Sequence, residues 1–187
     1  LYKWLKSKGF KVFLTKEPGG TEAGLKIRDI LLGGEKEINI YTELFLYLAD
    51  RAENLTKNVE PNLMEDKIVI SDRHFDSTVA YQMAGRGISK EEIQMFKELK
   101  IFSLMEPDIT FLLDVAPEIV KDRIKEPDRI ERENIDFHHR VRSAYLDIAR
   151  SAPDRVILID ARGTIEKIHG EIKKEISNLI GEDLNES

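Results

Sequence analysis

The chain has 187 residues, of which 29 are basic and 35 acidic, giving a formal net charge of −6. That length suits one sizeable core and asks for no second domain, and the acidic balance argues against broad affinity for nucleic acid or an anionic membrane, so any phosphate site must be local. There is no cysteine, which excludes disulfides, thiol nucleophiles and cysteine-ligated zinc, and no apolar run reaches the roughly 18 residues of a membrane span, so a cytoplasmic protein is expected.

Residues 1–9 read as helix closed by Gly9, with neither an initiator Met nor a signal-peptide layout, so the chain is expected to begin inside a helix. Four short, nearly continuous apolar runs then predict strands at residues 11–15, 67–71, 108–114 and 156–160, the pattern of strands buried on both faces. Between them, apolar residues three and four apart predict helices over residues 23–32, 41–55, 89–99, 118–124 and 135–150. Ser89 and Glu92 form a capping-box pattern at the start of the third of these. After the last helix, residues 181–187 (GEDLNES) are polar and are expected to fray. Strands alternating with helices define an α/β fold with a doubly wound parallel sheet, expected as a single domain over residues 1–187 with its chemistry just beyond the strands' carboxyl ends.

The segments after the strands carry that chemistry. Lys16-Glu17-Pro18-Gly19-Gly20-Thr21 forces a tight loop after the first run, which fits either a close backbone approach to a ligand or an ordinary turn capped by Thr21. Arg28 lies about two turns further on, where its guanidinium can reach an anion at that loop. Tyr47 and Arg51 are four apart and share a helical face able to hold an aromatic base, or to serve as a core tyrosine beside a solvated arginine. In the block SDRHFDSTVAYQMAGRG, residues 71–87, Asp72 is placed to hold Mg²⁺ or orient an arginine, and Arg73 offers a forked phosphate donor. Thr78, Tyr81 and Gln82 follow at helical spacing, with Gln82 able to read a base edge. The charged run RIKEPDRIER, residues 123–132, suits a mobile lid or a solvated connection between helices. His74, His138, His139 and His169 make no metal-ligand pattern.

Together the loop KEPGGT, the segment YLADRAEN, the block SDRHFDSTVAYQMAGRG and the stretch PDRIERENIDFHHRVRSAYLDIA resemble thymidylate kinases in order and approximate spacing over nearly the whole chain. The resemblance implies a three-layer fold of the P-loop nucleoside-monophosphate kinase type and transfer of phosphoryl from MgATP to dTMP. It puts Tyr47 on the thymine ring, Arg51 at the base, Gln82 and Thr78 on its edge and Tyr81 at the deoxyribose. Arg28 and Arg73 fall on the dTMP phosphate, Glu17 in the loop beside the acceptor, and Asp72 near the metal and phosphates. Arg123, Lys125, Arg129 and Arg132 fall in the lid on the ATP side. From these, Arg73, Asp72 and Arg129 are the expected catalytic residues, and a homodimer packed through helices is expected.

Two departures stand out. The family's first strand and its phosphate-binding loop, G-x-x-x-x-G-K-[ST], do not occur in these residues, so the chain is expected to be amino-terminally truncated and inactive as it stands, because that loop cradles the ATP phosphates. The lid is short and interrupted by Pro127. A kinase for another pyrimidine monophosphate, or a non-catalytic nucleotide-binding scaffold, are the alternative readings.

Overall fold

A computed structural model describes residues 1–33, 37–103, 106–121 and 124–181. Four strands form on the apolar runs: β1 (Val12–Lys16), β2 (Ile68–Asp72), β3 (Thr110–Asp114) and β4 (Val156–Asp160). β1 pairs in parallel with β2, from Val12 opposite Ile68 to Lys16 opposite Asp72, and β3 pairs in parallel with β4, from Thr110 opposite Val156 to Asp114 opposite Asp160. Where the sequence predicts one doubly wound sheet, the described residues thus form two parallel pairs. A cavity of about 1320 Å³ separates them, walled by Ile68, Ile70 and Asp72 on one side and Thr110, Leu112 and Asp114 on the other. The sheet is split because each of β2 and β3 has an edge that no strand among the described residues pairs.

The helices follow the apolar periodicity, with instructive differences. α1 (Tyr2–Ser7) is followed by Gly9 at φ +87°, a conformation that glycine adopts without strain. α2 (Glu22–Gly33) starts where the Thr21 hydroxyl accepts the Gly24 amide at 2.9 Å, so Thr21 does cap it. α3 (Ile40–Asn54), capped by Asn39, does not stop near residue 55 as expected but passes through a π-helical stretch, Leu55–Val59, into α4 (Glu60–Met64). Pro61 is tolerated there because it falls in the first turn of α4. α5 (Phe75–Thr78) likewise continues as a π-helical stretch, Val79–Gly85. α6 (Lys90–Lys97) opens on the expected Ser89–Glu92 capping box, and α7 (Lys100–Ser103) follows. α8 (Pro117–Lys121) covers the start of the helix predicted over 118–124, part of which lies outside the described residues, α9 (Ile135–Ser151) is capped by Asn134, and α10 (Ile165–Ile180) ends at Gly181 with φ +70°. The expected fraying beyond Gly181 lies outside the described residues.

Two buried clusters fix the segment 75–85, which carries most of the polar block. Leu44, Leu48, Leu55 and Val59 from the α3 side pack with Phe75, Ile88, Ile93 and Phe102. On the other side Ala80 packs with Ile130, Phe137, Val141 and Ala144, bringing α9 against the π-helical stretch. Burying a side chain the size of Phe137 contributes about 2 kcal/mol, so these contacts clamp the segment from both sides. The fit is tightest at Gly85, where a Cβ would lie 2.6 Å from Phe137 Cε2. Gly85→Ala is therefore expected to destabilise the protein by about 1–3 kcal/mol through overpacking, read as a lowered urea midpoint at unchanged m-value.

Candidate active site

The register that ends β1 and β2 together at Lys16 and Asp72 places the loop after β1 beside the block after β2, and the Glu17 amide donates to the Asp72 carbonyl at 2.9 Å. Into this junction α3 inserts Arg51, which is only 2 % exposed. Its Nε donates to Glu17 Oε2 at 2.6 Å, its Nη1 to Thr78 Oγ1 at 2.6 Å and its Nη2 to the His74 carbonyl at 2.9 Å. The other Glu17 oxygen accepts from Asn54 at 3.0 Å, while the Asn54 carbonyl oxygen accepts from Thr15 at 2.6 Å and from Asn58 at 2.9 Å. Asn58 also donates to the Gly20 carbonyl at 2.8 Å. The α3 face thus ties both ends of the loop that Pro18 and the two glycines make.

Asp50, also buried on α3, accepts the Gly19 amide at 2.8 Å through one oxygen, and its other oxygen has no partner in the structure. Burial pushes its carboxyl from 3.8 up to about 6, against the bond from Gly19. Arg28 reaches over the same loop and donates to the Pro18 carbonyl at 2.9 Å. Burial, helped by the Arg51 charge, lowers His74 from 6.5 to about 4, and its Nε2 lacks a partner.

Arg73 follows directly on β2 with φ +74°, an outlier for a non-glycine residue, and its carbonyl accepts from Ser71 Oγ at 2.8 Å. The residue as a whole is exposed, and its guanidinium lies over the Tyr81 ring, 5.1 Å from the centroid. Tyr81 is braced by Phe137 and, edge-on, by Tyr145, whose hydroxyl bonds Ser77 at 2.7 Å. Burial raises the Tyr47 phenol well above its ordinary range, and the charges acting on it are Glu43, Arg73 and Arg129, with Tyr81 beside them. Tyr47, Arg73 and Tyr81 therefore share one neighbourhood.

At its amino-terminal end α3 contributes Glu43, 1 % exposed. It accepts from Gln82 Nε2 at 3.0 Å, from Arg86 at 3.0 and 2.9 Å, and from Arg129 at 2.6 Å. Arg129, expected as a lid catalyst, is turned inward, with its Nε on the Leu31 carbonyl at 2.7 Å. Around it Asp128 and Glu131 fold residues 128–131 into a compact turn. Lys125 and Arg132 are exposed, and Arg132 bonds the Pro127 carbonyl at 2.8 Å. Arg123 lies outside the described residues. Asp72 is exposed at the end of β2, and among the described residues no group of three carboxylates or imidazoles gathers as a metal cage.

The structure thus brings Glu17, Arg51 and Thr78 into one network and Tyr47, Arg73 and Tyr81 into one neighbourhood. Arg28 sits over the loop, and Gln82 and Arg129 meet on Glu43. Arg51 is buried, and each of its three nitrogens donates one bond within the protein. Sequence reading passed over Glu43, Asp50, Asn54, Arg86 and Tyr145. The available signal was the polar residues Glu43, Asp50, Arg51 and Asn54 on a helix whose Leu44 and Leu48 are core, more than a solvated face alone would place there.

Arginines and a carboxylate gather at the carboxyl ends of parallel strands, with tyrosines beside them, an arrangement in an α/β fold that suits a phosphorylated aromatic ligand. The thymidylate kinase family model matches residues 1–172. A thymidylate kinase of Desulforapulum autotrophicum is 42% identical over 187 residues, covering 94% of this chain and 82% of that protein. One from Nostoc is 41% identical over 181 residues, covering 94% and 85%. The crystal structure of thymidylate kinase from Ehrlichia chaffeensis matches with a TM-score of 0.74 at 32% identity, covering 93% of this chain and 87% of that one. The chain belongs to the thymidylate kinase family.

Two outcomes follow from the buried charges. Glu17→Ala leaves the Arg51 guanidinium buried without its anion and is expected to cost about 3–5 kcal/mol, measured by urea unfolding. Between about pH 4 and 6 the folded state holds an Asp50 proton that the unfolded chain has released, so that contribution to stability falls as pH rises. For His74 the unfolded chain holds the extra proton between about pH 4 and 6.5, so that contribution is lost as pH falls. The two slopes oppose each other. Asp50→Asn removes the first, so the variant should gain stability with pH more steeply than the parent over this window, in urea midpoints taken every half unit.

Proposed function

We propose that this chain transfers the γ-phosphoryl group of ATP to dTMP, forming dTDP for nucleotide biosynthesis, with the dTMP phosphate held by Arg73 and Arg28. Family membership supports the reaction. The single observation that supports the site is Arg73, exposed at the end of β2 in a left-handed backbone conformation and seated on Tyr81. A strained conformation of this kind is retained where it aims a functional group. Tyr47 would face the thymine ring and Tyr81 the deoxyribose, while Thr78 and Gln82 would read the base edge and Glu17 and Arg51 would fix the wall behind it.

In the reaction, a dTMP phosphate oxygen attacks the γ-phosphorus in line as the bond to the ADP oxygen breaks. The acceptor is already anionic at neutral pH, so no strong base is needed and the work is alignment and charge neutralisation. Arg73 and Arg28 neutralise the acceptor, and Lys125 and Arg132, exposed in the lid, are the cations assigned to ATP, together with Arg123 of the same charged run. Arg129 acts from beneath, holding the root of the lid. Asp72, exposed at the end of β2, would be the carboxylate to hold Mg²⁺ together with the nucleotide phosphates. When bound, the ion supplies charge neutralisation at the β- and γ-phosphates.

The ATP phosphates also require a glycine-rich cradle, and the motif G-x-x-x-x-G-K-[ST] does not occur in the 187 residues. We assign its place to the cavity between β2 and β3. A parallel strand paired to both open edges would deliver such a loop beside Asp72. We further propose a cytoplasmic homodimer that uses the α3 face bearing Tyr41 and Phe45, which are 41% and 53% exposed. No helix among the described residues is long and apolar enough to cross a membrane.

The test is dTDP formation from ATP and dTMP by this sequence carrying such a strand and loop ahead of Leu1. Turnover is expected, and a folded protein of that kind that forms no dTDP would overturn the reading. In it, Arg73→Ala should lower kcat/KM by about 100-fold or more while leaving the unfolding midpoint close to that of the parent.

A further inference from the structure

Glu43 accepts four hydrogen bonds through its two carboxylate oxygens, from Gln82, twice from Arg86, and from Arg129. It stands one turn before Tyr47 and two turns before Arg51 on α3, beside the groups proposed to meet the base. A carboxylate only accepts, so Gln82 must turn its amide nitrogen toward Glu43, which leaves its carbonyl oxygen directed elsewhere. Four residues earlier, Thr78 Oγ1 already accepts from Arg51 at 2.6 Å, which takes one of its lone pairs and favours the hydroxyl as a donor toward a further partner. One helix thus sets an anion against Gln82, which fixes the direction of its amide, and a cation against Thr78, which biases its hydroxyl toward donating.

We infer that Glu43 is a positioning residue that makes the site select an oxo-pyrimidine over an amino-pyrimidine. This rests on the dTMP reading above, in which Thr78 and Gln82 line the base edge. A carbonyl beside a hydroxyl donor matches an N3–H donor next to the O4 acceptor of thymine or uracil. Cytosine carries the reverse pair, an N3 acceptor next to an amino donor, and would set acceptor against acceptor and donor against donor. An unmatched pair of this sort in a buried site is strongly rejected. Glu43 touches no reacting atom, and it acts through the orientation it imposes on Gln82. Arg86 and Arg129 keep the carboxylate charged and in place, and Arg86 is in turn held by Glu133 at 2.6 Å.

The experiment is calorimetric binding of dTMP, dUMP and dCMP to this chain and to three variants. The ratio of dUMP to dCMP affinity is the readout, because these two ligands differ only in the polarity of the edge at positions 3 and 4. The parent should prefer dUMP by about tenfold or more. In Glu43→Gln the facing group both donates and accepts, so Gln82 is free to flip and the ratio should fall toward one. Glu133→Gln loosens the same ionic cluster without touching Gln82, and should leave the ratio unchanged. Should Glu43→Gln not fold, Glu43→Asp keeps the charge but withdraws it from Gln82, and the same fall in ratio is expected. A folded Glu43 variant with the parent's ratio, or an equal fall in Glu133→Gln, overturns the inference. Failure of the parent to bind dTMP at all would instead sink the base-site reading on which it rests.

Discussion

The buried fork of Arg51 is the constraint on which the rest of the site depends. A guanidinium withdrawn from water is tolerable only if its donors find partners in fixed directions, and here those partners are Glu17, Thr78 and the His74 carbonyl. They come from the loop after β1, from the helix after β2 and from the turn between β2 and that helix. Satisfying one side chain therefore aligns three chain segments at the carboxyl ends of the strands. Asn54, one turn further along α3, adds the second bond to Glu17 and carries the constraint back to Thr15 within β1. The Glu17 loop and Arg73 take their positions from this join.

α3 does its work by alternation of charge along one side. Glu43 faces Gln82, Arg86 and Arg129 near one end, while Asp50 and Arg51 face the Pro18 loop and the start of α5 toward the other, with Tyr47 between. The two ends bind different parts of the molecule, the lid root and the acceptor loop, so a rigid helix keeps these at fixed separation. The chain's net negative charge is compatible with phosphate chemistry because Glu17 and Glu43 are buried against arginines, while the residue Arg73 remains exposed.

Much of this was legible in the sequence. Strand positions followed from short apolar runs, which came within two residues of the observed starts. The Thr21 cap, the Ser89–Glu92 box and the placement of Glu17–Gly20 and Arg73 beyond strand ends followed from local rules, while Lys16 and Asp72 are the last residues of β1 and β2. What was hidden is long-range. Nothing in the neighbourhood of Arg51, Gln82 or Arg129 says whether the side chain turns to solvent or inward, because the deciding partners lie 34, 39 and 86 residues away. The split of the sheet was hidden for the same reason, since pairing is a property of neighbours in space. The two π-helical stretches carry no breaker at their starts, so periodicity reads straight through them.

The stretch from Val79 to Gly85 closes its turns with one more residue than an α-helix does, as the bond from the Arg86 amide to the Tyr81 carbonyl shows. Tyr81 therefore meets Arg73, and Gln82 meets Glu43, through a count of residues as much as through their identities. The geometry of this segment therefore tolerates an exchange of side chains better than a change of length. Loss or gain of one residue would rotate everything beyond it by about 100°, and α6 would enter from the wrong side.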